Sequence, residues 1–200
     1  MTGIPKPSAV TPADAGVGQA RLAPLGWSWN PLVWLAVLAY RFGAGGVATP
    51  VWVIFARAPG LILAHLTLVI TSEYLVGLDR RLRALVRVFG SRVNGCSFCD
   101  DLEAALALRH GALTRADLDA LASFRGSERF SDAEKAALAY VEELNTARVA
   151  SDAAFAALRA HFSESEIVRL TWLNAVGNYL NLQARPLGLA SEGRCALAPR

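Results

Sequence analysis

Beyond about residue 30, apolar residues recur every three or four positions, the spacing of one face of an α-helix. Pro31 opens the first such segment and Gly43 to Gly46 ends it, because glycine lets the chain leave the helix. Pro50 could start a second turn, and Val51 to Phe55 is the one run that reads like a strand. Pro59, at a first helical position, begins a longer helix through about Val76, with Leu61, Leu66, Val69 and Ile70 as expected core residues. His65 lies among them and reads as a satisfied interior histidine. A helix from about Leu78 to Val93 follows, with Leu82, Leu85, Val86 and Phe89 on one face and Arg92 placed to suit its negative C-terminal end. Asn94-Gly95 breaks it. The next helix runs to about His110, stops at Gly111, and repeats apolar residues at Leu102, Ala105, Leu106 and Leu108.

The second half is punctuated by capping boxes, in which a Ser or Thr and an acid three residues later satisfy each other's backbone N–H groups. Thr114 with Asp117 starts a short helix to Ser123, and Ser131 with Glu134 starts one to about Asn145. Ser151 or Asp152 caps a helix ending near His161. Ser163 with Glu166 heads the last long helix, with Ile167, Leu170, Leu173 and Leu180 inside. Glu134, Glu164 and Glu166 thus read as stabilisers of helix starts, not as acid-base groups. The fold class is all-α: a single-domain helical bundle over 28–200, preceded by a flexible Pro/Ala/Gly-rich arm at 1–27.

Composition changes this picture in one respect. At 54% hydrophobic residues over 200 positions, the chain has more apolar surface than a soluble monomer of this size usually carries. Charged residues and prolines interrupt the apolar runs before about 20 accumulate, so no membrane span is expected and a homo-oligomer is. The net charge of +3 is spread along the chain. Arg80, Arg81, Arg83 and Arg87 form its densest cluster, expected as a solvated or intersubunit face. No basic stripe interleaved with aromatics points to nucleic acid. The first 25 residues lack a charged start and an apolar core like those of a secretory signal, so the expected location is cytoplasmic.

Chemistry concentrates in Asn94-Gly95-Cys96-Ser97-Phe98-Cys99-Asp100-Asp101, a Cys-x-x-Cys opening a helix. Unpaired N–H groups at a helix N-terminus favour thiolate over thiol, and the thiolate is the nucleophile. In a reducing compartment such a pair is more often catalytic or metal-binding than a structural disulfide. A zinc site would need a second ligand pair, and the chain offers only Cys195 and the scattered His65, His110 and His161. Two ordinary buried thiols are the remaining alternative. Position alone favours Cys96, nearer the helix end, as the reactive thiol.

Leu82 to Val86, the Val93 to Asp100 word, Phe130 to Tyr140, Phe162 to Val168 and Asn178 to Asn181 together resemble the carboxymuconolactone decarboxylase and alkylhydroperoxidase D-like superfamily. The likeness runs over roughly 35–197. It implies an all-helical homo-trimer, or a hexamer built from trimers, with the cysteine helix near a subunit interface. It implies Cys99 as the thiol that attacks a small-molecule hydroperoxide and Cys96 as the thiol that resolves the sulfenic acid, with a thiol reductant or reductase partner reopening the disulfide. No metal or organic cofactor is implied. The superfamily's proton relay places a glutamate twelve residues before the first cysteine and a histidine four after the second. Here those positions hold Ala84 and Glu103. Glu103 can accept a proton, though with Asp100 and Asp101 it adds negative charge that raises a thiol pKa. Asp100 is itself a site candidate, because some branches carry an acid directly after the second cysteine. Glu73, His65 and His161 are candidates to replace the relay.

The expected activity is therefore a thiol-dependent, peroxidase-like one. Two alternatives accompany it: a decarboxylase-like or lactone-handling enzyme using an arginine such as Arg57 or Arg83, and a non-enzymatic redox-sensing or ligand-binding oligomer. Cys195, in a Gly-flanked tail, is expected to be a spectator.

Overall fold

In the computed structural model, which describes residues 20–43 and 49–198, the bundle is built on one two-faced helix. That helix, α3 (Arg80–Val93), follows α1 (Pro31–Gly43) and α2 (Leu61–Ile70). Asp79 caps it by accepting the N–H groups of Arg81 and Leu82. It buries Leu82, Leu85, Val86 and Phe89, as the spacing predicts, together with Val88. Against it pack α4 (Ser97–Arg109), α6 (Asp132–Thr146) and α8 (Glu164–Ala184). Between these lie α5 (Arg115–Ala120), a 3₁₀ stretch at Leu121–Gly126, and α7 (Asp152–Arg159). The short α9 (Arg194–Leu197) closes the chain against α4. Residues 1–19 of the expected arm, and 44–46 of the expected first helix stop, lie outside the described residues.

The three capping boxes form as expected at Thr114/Asp117, Ser131/Glu134 and Ser163/Glu166. Ser151, not Asp152, caps α7 by accepting the N–H of Ala154. Helix ends therefore follow the local signals closely.

Three expectations about faces and elements are corrected. Val51–Phe55 is a π-helical turn, not a strand: Val51 and Phe55 pack with Val33, Ala36 and Ile62, while Val53 turns to the opposite side, against the cysteines. The helix after Pro59 does extend to Leu75, but its last part, Thr71–Leu75, is π-type. Its buried stripe is Ile62 and His65, leaving Leu61 and Ile70 exposed. In α4 the buried positions are Phe98, Cys99, Asp101, Ala104, Ala105 and Ala107. Leu102, Leu106 and Leu108 are only partly covered. Small residues face α3 because they let two helix backbones approach closely, which the leucine spacing alone does not register.

Two cores result besides the cluster of Val33, Ala36, Val51, Phe55 and Ile62. The larger joins α3, α6 and α8 around Leu85, Val86, Leu138, Leu170 and Leu173. A smaller one unites Val53, Cys96, Phe98, Cys99, Ala184 and Leu189. Outside both, Leu35, Leu38, Phe42, Leu63, Tyr74 and Leu75 are exposed on the α1–α2 side. Among the described residues no helix is long and apolar enough to cross a membrane.

Candidate active site

The turn from α3 into α4 carries the two cysteines. Gly95 adopts φ +65°, a left-handed conformation that other residues enter only at a cost. Cys96 then returns its N–H to the Ser91 carbonyl at 2.9 Å. Cys96 is the N-cap of α4, and its sulfur accepts the Cys99 N–H at 3.4 Å. The two are joined as a disulfide with their Cα atoms 5.3 Å apart. Cys96 is 2% and Cys99 7% exposed, and the apolar side chains of Val53, Ile54, Leu102, Ala184, Leu187 and Leu189 cluster with them.

An amide network holds this turn in place. Asn94 Nδ2 donates to Asn178 Oδ1 (3.2 Å) and Asn181 Oδ1 (2.8 Å), and Asn181 Nδ2 donates to Ser91 Oγ. Asn178 and Asn174 both donate to the buried Asn145 Oδ1, at 2.7 and 3.0 Å. The network fastens the start of the cysteine helix to α6 and α8. It also pays much of the desolvation cost of five buried or half-buried amides.

Acidic residues leave α4 in three directions. Asp100 pairs with Arg92 at 3.0 Å, and Arg92 in turn donates to the Leu118 carbonyl. Asp101 is buried and turns toward the C-terminal segment. Glu103, one turn beyond Cys99, meets Arg87 at 3.6 Å, and Arg87 is also ion-paired with Glu73. Arg83 contacts Glu73 too. Arg81 instead bridges Asp117 and Glu134. The arginine cluster is therefore not a free solvated face: three of its members are tied to acids of other elements.

Beyond Glu103 lies a buried polar cluster. Tyr40 Oη and His65 Nε2 are 2.5 Å apart. Burial, then the neighbouring Tyr179 and Glu103, push the Tyr40 phenol far above its ordinary pKa. Burial pulls His65 down to about 4 against the opposing influence of Gln183, so it is neutral at neutral pH. Gln183 Nε2 donates to Tyr179 Oη at 2.8 Å. Gln183 is followed directly by Ala184, which packs on the sulfurs, so the polar cluster and the disulfide share one stretch of α8.

Of the residues expected to replace the relay, His65 and Glu73 are thus brought into contact with Tyr40 and Arg87 respectively, around Glu103. His161 is exposed beyond the end of α7. Ala84 packs against the larger core. Tyr40, Gln183, Tyr179 and Asp101 were not legible as site residues: Tyr40 meets His65 across 25 positions, Asp101 meets the tail across more than 90, and Gln183 and Tyr179, four apart on α8, reach His65 and Tyr40 only in the fold. Arg57 spends its guanidinium on the carbonyls of Trp52, Val53 and Ala23, and Arg83 on that of Glu73. Cys195 is partly buried, and its backbone N–H is bonded to Asp101. Among the described residues no group of three His, Cys, Asp or Glu converges as metal ligands. A groove of about 550 Å³ opens beside Tyr179 and Gln183, lined also by Leu144, Arg148 and Asn178.

Residues 62–143 match the sequence profile of the carboxymuconolactone decarboxylase family. A protein of unknown function from Agrobacterium tumefaciens, named with a suggested role as the antioxidant defence protein AhpD, is 29% identical, with a TM-score of 0.64 over 68% of this chain and 94% of that one. The debrominase Bmp8 has the same fold at 18% identity, with a TM-score of 0.74 over 84% of this chain and 89% of its own. So does an uncharacterised peroxidase-related protein from Ralstonia eutropha with an alkylhydroperoxidase AhpD core, at 18% identity and a TM-score of 0.70 over 84% and 90%. No curated protein matches the chain.

Proposed function

Because the chain belongs to the carboxymuconolactone decarboxylase and alkylhydroperoxidase D-like superfamily, we propose that it is a thiol-dependent, peroxidase-like oxidoreductase that cycles Cys96 and Cys99 between dithiol and disulfide. The observation that carries this reading is the bonded pair at the start of α4, enclosed by apolar side chains, with Glu103 one turn away. In the cycle, the Cys99 thiolate attacks the peroxide oxygen and the O–O bond breaks. Cys99 becomes a sulfenic acid, and the alkoxide leaves as an alcohol after taking up the proton that the thiol gave up. The Cys96 thiol then displaces water from the sulfenic acid and forms the disulfide. An external dithiol reopens it and is itself oxidised to a disulfide.

Glu103 is the proton station in this scheme, receiving the Cys99 proton and returning it to the leaving oxygen. Arg87 pairs with its carboxylate at 3.6 Å, and the Glu103 charge is felt by Tyr40, which is bonded to His65. Asp100 keeps the first turn of α4 against Arg92. The apolar surface exposed around Leu35, Phe42, Leu63 and Leu75 supports a homo-oligomer, for which the family resemblance suggests a trimer or a hexamer built from trimers, and the thiol cycle suits the reducing cytoplasm.

Purified protein with a dithiol donor should consume an alkyl hydroperoxide, and Cys99→Ser should abolish turnover. Unchanged turnover in that variant overturns the reading. Turnover of an organic acid or lactone that survives loss of both thiols would establish the decarboxylase-like alternative, which the matched family profile supports. A single oxidation by peroxide, without turnover in the presence of the donor, would establish the redox sensor.

A further inference from the structure

The sulfurs are buried, yet a dithiol cycle requires both a peroxide and a reductant to reach them. The chain after α8 contributes Leu187 and Leu189 to their cover, beside Val53 and Ile54 of the π-helical turn. Ala184 ends that helix against the cysteines, and Leu189 returns its N–H to the Ala184 carbonyl at 3.1 Å. Gly188 makes this reversal with φ +70°, and a side chain there would press on Arg21 at 3.2 Å. The Arg21 N–H donates to the Leu187 carbonyl at 2.8 Å, so residues Ala20 and Arg21 are drawn over the same place. Leu189 is 5% exposed, seated in the cluster that holds Cys96 and Cys99.

The segment then fastens to a single carboxylate. Asp101, two residues beyond Cys99 on α4, accepts the backbone N–H groups of Glu192 (2.9 Å), Arg194 (3.0 Å) and Cys195 (2.7 Å). Thr49 bonds the Glu192 side chain, and Arg115 donates to the carbonyls of Cys195 and Ala198 at 3.0 and 2.9 Å. An acid on the cysteine helix is thus committed to the backbone of the segment after α8.

We propose that residues 187–195 form a strap across the dithiol, that Asp101 is the positioning residue that pins it, and that release of the strap decides which reductants and substrates reach the sulfurs. The inference rests on Cys96 and Cys99 being the reacting pair. Attack on a disulfide requires the incoming nucleophile to reach one sulfur along the S–S axis, and with the strap closed Leu187 and Leu189 belong to the apolar cluster that buries both sulfurs. A small molecule then enters only in the fraction of time the strap is open, and the folded surface of a protein dithiol needs a wider opening still. Burial works against the Asp101 carboxylate, but the N–H groups of Cys195, Arg194 and Glu192 with the Ser191 side chain outweigh it and leave its pKa lowered, so the pin is charged at neutral pH.

The test is the rate at which the disulfide of the full-length protein is reduced by a small phosphine and by a thioredoxin-type protein dithiol, in wild type, Asp101→Asn and Arg115→Ala. Amide hydrogen exchange at 192, 194 and 195 is read in parallel. Asp101→Asn removes the charge and one of the two acceptor oxygens, so at least one of the three bonds is lost and the rest are weakened, and phosphine reduction should accelerate by roughly tenfold. Reduction by the protein dithiol should gain more than that, and Arg115→Ala should fall between. Reduction at the wild-type rate while the strap amides exchange faster overturns the proposal, because the strap would then open without exposing the sulfurs. Should Asp101→Asn fail to fold, the same pair of readouts on Arg115→Ala decides in the same way. Faster reduction with no peroxide consumed by the wild type upholds the strap and refutes the peroxidase reading.

Discussion

Replacing Asp117 with asparagine removes one charge from the place where α3, α5 and α6 are tied together. Asp117 is 2% exposed and closes the α5 capping box with Thr114, accepting its N–H at 2.8 Å and its hydroxyl at 2.6 Å. The same carboxylate receives both ends of the Arg81 guanidinium, at 3.1 and 3.3 Å, and Arg129 Nε at 3.1 Å. Arg81 and Arg129 are one third to one half exposed, so each pair is worth only about 0.5–1 kcal/mol after solvent screening. Weakening the cap adds about 1 kcal/mol. The expected loss is therefore about 2–3 kcal/mol at pH 7, measured as the change in unfolding free energy from denaturant titration. Acid adds a second signature. Burial would raise the Asp117 pKa, but the hydrogen bonds from Arg81 and Thr114 pull it well below the carboxylate range. A depressed pKa contributes stability above the unfolded value of about 3.9 that is lost as pH falls below it. Wild type should lose that contribution between about pH 5 and 2, and the asparagine variant should show a flatter profile there. A loss under about 0.5 kcal/mol at pH 7, or an unchanged acid slope, would refute this account of the junction.

Two further outcomes follow from the site. The folded protein keeps His65 neutral down to about pH 4, whereas the unfolded chain protonates near 6.5, so the unfolded state binds more protons in between and stability falls as pH drops from 6.5 to 4. His65→Gln should remove this fall, at most roughly 3 kcal/mol, and the same slope in both proteins by denaturant titration would contradict it. Gly95→Ala forces a side chain into the left-handed conformation at φ +65°, although the space there is open except for Arg185 at 3.9 Å. It should cost about 1–2 kcal/mol in thermal unfolding and disturb the position of Cys96, visible as a changed alkylation rate of the reduced thiols.

The helical class, the helix boundaries at Thr114, Ser131 and Ser163, and the core face of α3 were all legible in the sequence, because capping and helical periodicity act within a few residues. The position of the Cys-x-x-Cys pair at a helix start was legible for the same reason. Which face of α2 and α4 is buried was not, because both sides of these helices carry apolar or small residues and only the neighbouring element selects one. The short apolar run Val51–Phe55 reads equally as strand or helix until α1 and α2 close around it.

For function, the sequence by itself located the Cys-x-x-Cys pair at a helix start and the two positions, Ala84 and Glu103, where the resemblance leads one to expect other residues. Only the tertiary structure decided what stands around the gap. Tyr40 meets His65 across 25 positions, Glu103 meets Arg87 across a helix–helix interface, and Asp101 meets the tail across more than 90. Such contacts depend on how helices are placed relative to one another, which packing of the whole core sets and no local pattern encodes. That is why the sulfurs could be found in the chain, while their neighbours and the strap above them had to be found in the fold.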